Sequence, residues 1–235
     1  AAVARTGAVA PLCSLVREGA SNVKEHSAAA LWALSERNAP NKATVAKLGG
    51  IEPLVMLLMG GETEGSLSNA VGALTSLAAK HADNCETIAK MLVARLTSRM
   101  AMVGSGSTRL LTGISILCNS SPANQFAMAK AGGIAPLISW LSGSLDSRQA
   151  CNEDAQREAA RAVLAVAANN ASLQTTIVKS DGIQPLISLV SKGNLQAQEY
   201  AARTLWHLAS SHESVSAIAE HGGMRPLVAM LAVED

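Results

Sequence analysis

Aromatic side chains are nearly absent from this sequence: three Trp, one Tyr and one Phe make up 2% of its 235 residues. A β-sandwich normally needs more aromatic and β-branched residues than this to fill the space between its sheets. Hydrophobic residues nevertheless account for 49% of the chain, mostly as Ala, Leu, Val, Ile and Met. This composition favours helices that pack closely through small side chains.

Charge is also scarce and balanced. Charged residues are 16% of the chain and the net charge is +1, so the composition predicts neither a nucleic-acid-binding protein nor a disordered tail. No apolar run approaches the roughly 20 residues of a membrane-spanning helix, and the N-terminus carries no signal-peptide pattern. Because the chain begins without Met, we expect a fragment or a processed form.

Chemical motifs are missing as well. The four cysteines form no C-x-x-C pair and predict reduced thiols, which favours a cytoplasmic location. A nuclear location, or attachment to a membrane through sequence outside this chain, is the alternative. The histidines near the C-terminus do not match a zinc motif, and no nucleophile–base pattern is present. We therefore expect no cofactor, no metal and no catalysis. The cysteines are Cys13, Cys85, Cys118 and Cys151.

Internal repeats dominate what is present. A glycine–proline block recurs with prolines separated by 42, 83, 49 and 41 residues. The gap of 83 is about twice 42, and "TIAK" at 87–90 marks a degenerate copy inside it that lacks both Gly-Gly and Pro. The period of about 42 is typical of HEAT and armadillo arrays. The five copies are "GAVAPLCSLV" (7–16), "GGIEPLVMLL" (49–58), "GGIAPLISWL" (132–141), "DGIQPLISLV" (181–190) and "GGMRPLVAML" (222–231).

A second block follows each copy, as in "AAALWALSE" (28–36) and "YAARTLWHLASS" (200–211). Its apolar residues recur at i, i+3, i+4 and i+7, which predicts a long buried helix. Short segments with a polar start precede the glycines and predict one more, shorter helix, so each unit is a short first helix, a middle helix opened by the proline block, and a long third helix. We expect Asn41, Asn84 and Asn124 to be the N-caps of the short helices and the glycines to be their left-handed C-caps. Proline in the first turn of the middle helix costs no hydrogen bond. The Gly-Gly pairs are thus joints between helices and not phosphate loops.

This unit resembles the armadillo repeat, through G-G-I-x-P-L-x-x-L-[LV] followed by A-L-x-x-L-A in five or six copies. HEAT repeats, with two helices per unit, are the alternative. The resemblance implies an all-α, right-handed α-α superhelix, an armadillo-type solenoid of about five to six three-helix repeats. We predict one domain over 1–235, with units at 1–38, 39–81, 82–121, 122–170, 171–211 and 212–235.

In armadillo proteins the third helices line a groove that commonly binds extended peptides, with an Asn holding the peptide backbone. The matching positions here contain no Asn, and the positions one turn earlier contain no Trp. The resemblance therefore does not extend to the import-receptor mechanism for basic peptides. The first set is Ala33, Ser76, Ile116, Ala165 and His207, and the second is Ala29, Gly72, Thr112, Arg161 and Arg203.

Basic and aromatic side chains gather at groove positions in the C-terminal half. They predict a partner-binding surface for an acidic or polar protein or peptide. The alternative is a solvated face on which the arginines pair with Glu158 and Glu199. Trp32 and Trp206 are expected to pack at the groove edge or between repeats. The candidate groove residues are Arg109, Arg157, Arg161, Tyr200, Arg203, His207, Ser76 and Trp206.

Two further features bear on partners. The fourth unit is extended by "SGSLDSRQACNEDA" (142–155), which is either a contact loop or a tolerated extension. Both ends of the array lack a polar capping repeat, so we expect a longer array, a covering partner or self-association through open ends. The leading functional hypothesis is a non-catalytic scaffold or adaptor. The alternatives are the substrate-recruiting module of a larger protein such as a ubiquitin ligase, and a peptide transport receptor.

Overall fold

The computed structural model describes residues 7–98, 104–119, 121–143 and 153–231, and all regular secondary structure in these ranges is helical. The chain divides into two compact units, Ala1–Arg95 and Leu96–Asp235, which are described separately. The fifteen described helices are α1 (Val9–Glu18), α2 (Ser21–Ser35), α3 (Ala39–Lys47), α4 (Ile51–Gly60), α5 (Glu64–Ala78), α6 (Ala82–Ser98), α7 (Ser105–Cys118), α8 (Pro122–Lys130), α9 (Ile134–Ser142), α10 (Glu153–Ala167), α11 (Ala171–Lys179), α12 (Ile183–Lys192), α13 (Leu195–Leu208), α14 (His212–Glu220) and α15 (Met224–Leu231).

The first unit contains the middle and third helices of one repeat, α1 and α2, followed by a complete repeat, α3 to α5. The two long third helices, α2 and α5, pack against each other, and α4 packs on α5. Their contact is filled by fully buried leucines, so the i, i+3, i+4, i+7 pattern faces the core as the sequence predicts. These include Leu31, Leu54, Leu58, Leu74 and Leu77.

The second unit follows the same plan. Its third helices are α7, α10 and α13, and α10 packs against both of the others. Alanine makes this close approach feasible, because Ala159, Ala160, Ala162 and Ala201 are all completely buried at the helix contacts. A small side chain at each crossing lets neighbouring helix backbones approach closely. Helices α14 and α15 continue the pattern after α13.

The two glycines of each Gly-Gly joint are required for different reasons. The first glycine adopts the left-handed conformation that ends the short helix, with φ of +69° at Gly49 and +80° at Gly132, as the sequence predicts. The second glycine has an ordinary φ but no room for a side chain. A Cβ at Gly50 would lie 2.7 Å from Val45 Cγ1 and 2.8 Å from Cys13 Sγ. The prolines then fall at the third residue of each middle helix, within the predicted first turn.

The predicted N-caps are wrong by three residues. Helix α3 is capped by Asn38 and α8 by Ser121, whose side chains accept the backbone N–H groups of Asn41 and Asn124. The asparagines predicted as caps instead donate their side-chain amides to carbonyl groups at the end of the preceding helix. Asn41 Nδ2 donates to the Leu34 carbonyl at 2.6 Å, and the same seven-residue bridge recurs in three further repeats. Those bridges are Asn84 to Leu77, Asn124 to Leu117 and Gln174 to Ala167.

The degenerate third copy has a direct structural consequence. Because it lacks the glycine pair and the proline, nothing interrupts the chain between its short and middle helices. A single helix, α6, runs for 17 residues in their place. This agrees with the helix-breaking role assigned to those residues elsewhere in the array. The extended loop of the fourth unit lies mostly outside the described residues, as does Cys151.

Candidate functional site

A shallow depression lies across the third helices of the second unit. It has a volume of about 270 Å³ and is lined by side chains from α7, α10 and α13. Four of the predicted groove residues meet there: Arg161, Tyr200, Arg203 and His207. The remaining lining residues are Ser115, Ile116, Asn119, Leu164, Ala165 and Ala168.

Arg161 is held by a buried carboxylate. Its Nη1 lies 3.3 Å from Glu158 Oε2, and the same oxygen accepts a 2.8 Å hydrogen bond from the Thr112 hydroxyl of α7. Arg157 completes this cluster, with Nε 3.3 Å from Glu158 Oε1 and Nη1 2.6 Å from Asp154. A buried charge is stable only when it is paired and hydrogen-bonded. Glu158 thus fixes Arg161 at the edge of the depression.

Arg203 is held much more loosely. Its partner is Glu199, one turn earlier on α13, with Nη1 3.2 Å from Oε1 and both side chains 58% exposed. An exposed i,i+4 ion pair contributes only about 0.3–0.5 kcal/mol. A ligand carboxylate could therefore replace Glu199 at little cost. The two arginines of the depression thus differ in the burial of their ion pairs: the partner of Arg161 is buried and that of Arg203 is exposed.

His207 is the titratable group of the depression near neutral pH. Its half-buried ring packs against Trp206, with ring centroids 4.7 Å apart and planes tilted by 46°. Burial lowers the pKa of His207 below its usual value of 6.5, and the nearby Arg203 charge lowers this pKa further. The imidazole is therefore neutral at pH 7 and can both donate and accept a hydrogen bond.

The other candidate residues lie elsewhere. Arg109 and Arg157 are not among the residues that line the depression, and Arg157 is engaged with Asp154 and Glu158. Ser76 belongs to the first unit, where it is 8% exposed and its hydroxyl has no hydrogen-bond partner among the described residues. It therefore offers a partner little surface.

Trp206 faces a separate surface. Its side chain is 72% exposed and lines a second depression of about 240 Å³ formed by α13, α14 and α15. The sequence did not predict this apolar depression. Nor did it predict the part of Asn119, which lies at the C-cap of α7 and lines the first depression. The sequence feature that could have indicated the apolar depression is the Leu-Trp pair shared by "ALWAL" and "TLWHL".

Metal and thiol chemistry have little support in the described part of the chain. No three His, Cys, Asp or Glu residues there come close enough to hold a metal ion. Cys13, Cys85 and Cys118 are buried free thiols. Complete burial raises the pKa of Cys118 to about 12, so this thiol is protonated at neutral pH. Burial also raises the pKa of Cys13 and of Cys85.

Over the described ranges, no one helix combines the length and the apolar character needed to span a bilayer. Helices α3 and α4 reach that threshold only when they are counted together, and they meet at a bend of 81°.

Several solved structures with the same architecture are engineered or designed proteins. An engineered protein shares 25% identity with a TM-score of 0.66, covering 97% of this chain and 90% of that one. A designed armadillo repeat protein matches at 16% identity and a TM-score of 0.65, covering 97% and 93%. A second designed armadillo repeat protein, in complex with the peptide (KR)4, matches at 16% identity and a TM-score of 0.66 over the same shares. A search of curated proteins found no match.

The class of fold is therefore an all-α, armadillo-type solenoid, as predicted. The sequence model described as "Armadillo/beta-catenin-like repeat" matches residues 38–79 and 170–210. These segments coincide with helices α3–α5 and α11–α13, each a complete three-helix repeat. The chain thus contains two segments similar to the armadillo repeat, within a fold of the armadillo solenoid type.

Proposed function

We propose that this protein is a non-catalytic scaffold or adaptor that binds an extended peptide segment of a partner across α7, α10 and α13. One observation carries the proposal: Arg161, Tyr200, Arg203 and His207, from two successive third helices, line a single open depression. Packed helices lie about 8–10 Å apart, and an extended peptide rises about 3.3 Å per residue. A peptide crossing these helices would therefore present a new side chain to each helix about every third residue.

The chemistry of the depression favours an acidic or polar peptide. Arg203 can exchange its weak contact with Glu199 for a ligand carboxylate, and the fixed Arg161 can offer a further N–H group. Charge-assisted hydrogen bonds of this kind are about twice as strong as neutral ones. Tyr200, His207 and Asn119 add groups that both donate and accept hydrogen bonds.

A basic peptide fits this depression less well. The designed armadillo repeat protein in complex with (KR)4 shows that this fold can hold such a ligand. In the present chain the depression carries Arg161 and Arg203, whose charges would repel lysine and arginine side chains. The groove positions compared with the import receptors hold neither Asn nor Trp here, which also argues against a basic peptide. We propose a cytoplasmic binding protein for acidic segments, and not a receptor for basic ones.

A binding titration tests this proposal. Fluorescein-labelled (SE)4 and (KR)4 octapeptides are titrated with the full 235-residue chain at low salt, and the fluorescence anisotropy is recorded. We expect saturable binding of (SE)4 and a weaker response for (KR)4. Replacing Arg203 by Gln and Tyr200 by Ala together should weaken (SE)4 binding at least tenfold, because a lost charge-assisted hydrogen bond costs about 1.5–3 kcal/mol.

Lys179→Glu is the matched control. Lys179 is an exposed cation near the end of α11, outside the depression, so its reversal should leave (SE)4 binding almost unchanged. Circular dichroism checks that all variants keep their helical content. Tighter binding of (KR)4 than of (SE)4, or equal losses in the groove and control variants, would refute the proposal.

A further inference from the structure

A second pocket lies on the first unit, away from the depression described above. It has a volume of about 520 Å³ and is bounded by side chains of α1, α2, α4 and α6, all of which belong to the first unit. Helix α4 supplies most of its lining residues and packs against both α1 and α5. Sites for small organic ligands have volumes of roughly 300–1,000 Å³ and largely apolar walls with a few polar groups. The pocket has the size of such a site.

The floor of this pocket is apolar. Val16 of α1 and Leu57 of α4 are 2% and 6% exposed and line it from the core side. Beside them Met56 is 45% exposed, and its unbranched side chain can adapt to the shape of a ligand. Gly60, at the end of α4, leaves open space, because a Cβ there would meet nothing within 4 Å. An apolar group can therefore lie along α4 from Met56 towards Gly60.

Met56 and Arg17 distinguish this pocket from the same surface of the other repeats. Met56 follows the proline of its block by three residues, where the other four copies have Ser14, Ser139, Ser188 and Ala229. Arg17 follows its proline by six residues, where the others have Met59, Ser142, Ser191 and Ala232. The repeat therefore needs only a small residue at the first position and no cation at the second. The side chains of Met56 and Arg17 are thus available for a role other than folding.

Cations outnumber acids around the apolar floor. Arg17, Lys24 and Arg95 line the pocket with a single acid, Glu52. Among the described residues, Arg17 and Lys24 form no ion pair and no side-chain hydrogen bond. Arg95 Nη2 lies 3.6 Å from Glu52 Oε1, which is longer than the roughly 2.7–2.9 Å of a charge-assisted hydrogen bond. A cleft with an excess of one charge attracts ligands of the opposite charge, so this pocket favours an anion.

Two of the cations lie at the start of α4. Arg17 Nη2 is 3.6 Å from the position that a Cβ of Gly49 would take, two residues before α4 begins. Arg95 contacts Glu52, which lies in the first turn of α4. The N-terminal end of a helix also favours negative charge. The anionic group of a ligand is therefore expected at this end of the pocket, with the apolar group on Met56.

We infer that this pocket binds a small amphipathic organic anion, which is a carboxylate or phosphate attached to an alkyl chain. Arg17 holds the anionic group, with the charges of Lys24 and Arg95 nearby, and the alkyl chain covers Met56 and extends towards Gly60. The ligand is a free molecule and not a protein segment, because a stable protein interface buries about 800 Å² per partner, far more than a pocket of this size offers. The site is separate from the peptide site proposed on the second unit.

A titration followed by nuclear magnetic resonance tests the inference. The full chain is labelled at its methionine methyl groups and titrated with decanoate, below the concentration at which decanoate forms micelles. We expect a saturable shift of the Met56 signal and no shift of Met128, which is buried in the second unit. Acetate, which has the charge without the chain, should bind at least tenfold more weakly. Decyltrimethylammonium, which has the chain with the opposite charge, should also bind at least tenfold more weakly.

Three variants locate the site. Arg17→Gln together with Lys24→Gln should weaken decanoate binding at least tenfold. Lys179→Gln together with Lys192→Gln is the matched control, because it removes two exposed cations of the second unit and should leave binding unchanged. Gly60→Phe should also weaken binding at least tenfold with all the cations in place, because the ring occupies the open space at the end of α4. Circular dichroism and thermal unfolding check that each variant is folded.

Contrary results are equally definite. A Met56 signal that does not shift in millimolar decanoate would overturn the inference. Equal affinity for decanoate and decyltrimethylammonium would show that the cations play no part, and binding that survives Gly60→Phe would place the ligand elsewhere. Sedimentation with phosphatidylglycerol vesicles, without binding of free decanoate, would make a membrane surface the ligand and would also refute the inference. A Met56 shift caused by (SE)4 and not by decanoate would do the same in favour of a peptide. Loss of (SE)4 binding at the second unit would refute the proposed function alone.

Discussion

The indole of Trp32 fills the space next to the Cα of Gly72, so that a Cβ at position 72 would lie 2.6 Å from indole atoms Cδ2 and Cε3. This contact joins two consecutive third helices, α2 and α5, whose packing builds the core of the first unit. A glycine in the middle of a helix is unfavourable by itself, by about 0.5–1 kcal/mol relative to alanine. The indole on its surface explains why glycine occurs there.

Gly72→Ala should therefore destabilise the chain despite its better helix propensity. Overpacking of this kind costs about 1–3 kcal/mol, so we expect a net loss of about 1–2 kcal/mol in urea unfolding. In the Trp32→Ala background the same substitution should be neutral or stabilising, because the obstructing ring is gone. Gly60→Ala serves as the control, since a Cβ there meets nothing within 4 Å. Equal effects of Gly72→Ala in both backgrounds would contradict this account.

Asp181 occupies a position where other repeats have glycine, and it adopts a φ of +59°. The left-handed conformation costs an L-residue about 1–2 kcal/mol. Replacing Asp181 by Gly relieves this cost, and part of the relief is offset by the larger freedom of glycine in the unfolded chain. Asp181→Gly should stabilise the protein by about 0.5–1 kcal/mol. The reciprocal change, Gly132→Asp, should destabilise it by a similar amount. Thermal unfolding of both variants provides the comparison, and a destabilised Asp181→Gly protein would refute the prediction.

The architecture was predictable because its signals are periodic. The glycine–proline blocks and the apolar spacing located the helix joints and the third helices, and the loss of Gly-Gly and Pro marked the uninterrupted helix α6. The N-caps were assigned wrongly because Asn at the third helical position resembles a cap in sequence. Only the structure shows that its amide reaches the carbonyl seven residues earlier.

The candidate site was predictable only in part. Helical spacing placed Arg161, Tyr200, Arg203 and His207 on one face, and they do meet in one depression. Spacing gives the face of a residue but not its depth, so the burial of Ser76 could not be anticipated. Spacing also could not show that Trp206 faces α14 and α15, because that depends on which helices pack next to α13.

The backward-reaching amides should be a measurable source of stability. Asn124 Nδ2 donates to the Leu117 carbonyl at 2.7 Å and so satisfies one of the unpaired acceptors at the end of α7. Asn124→Ala should reduce the free energy of unfolding by about 1–2 kcal/mol, because the partly buried carbonyl loses its donor. Asn22→Ala, at an exposed position whose side chain bonds only the neighbouring Val23 N–H among the described residues, should change stability by less than about 0.5 kcal/mol. Similar small effects for both would contradict the role assigned to the bridge.

His207 should make both stability and binding depend on pH. Its folded-state pKa is lowered, chiefly by burial, so the unfolded chain binds this proton more readily. Stability should be fully present above pH 6.5 and should fall as the pH drops from 6.5 towards the folded pKa. His207→Gln should flatten this part of the stability profile. An unchanged profile in the variant would exclude His207 as its source.

Acidification should affect the complex in the opposite sense. A bound carboxylate favours the imidazolium form, so (SE)4 should bind more tightly at pH 6 than at pH 7.5. The Glu side chains of the peptide remain ionised over this range. His207→Gln should remove most of this gain. Affinity that falls on acidification, or rises equally in the variant, would contradict the position assigned to His207 at the ligand.

The central claim is that a peptide lies across α7, α10 and α13, and chemical-shift mapping tests it most directly. Methyl-labelled protein is titrated with (SE)4, and the perturbed Ile, Leu and Ala methyl groups are assigned. The account predicts the largest shifts at Ile116, Leu164, Ala165 and Ala168, which line the depression, with little change at Ile134 and Ile183 in the middle helices. Shifts confined to the middle helices, or none at saturating peptide, would contradict the claim.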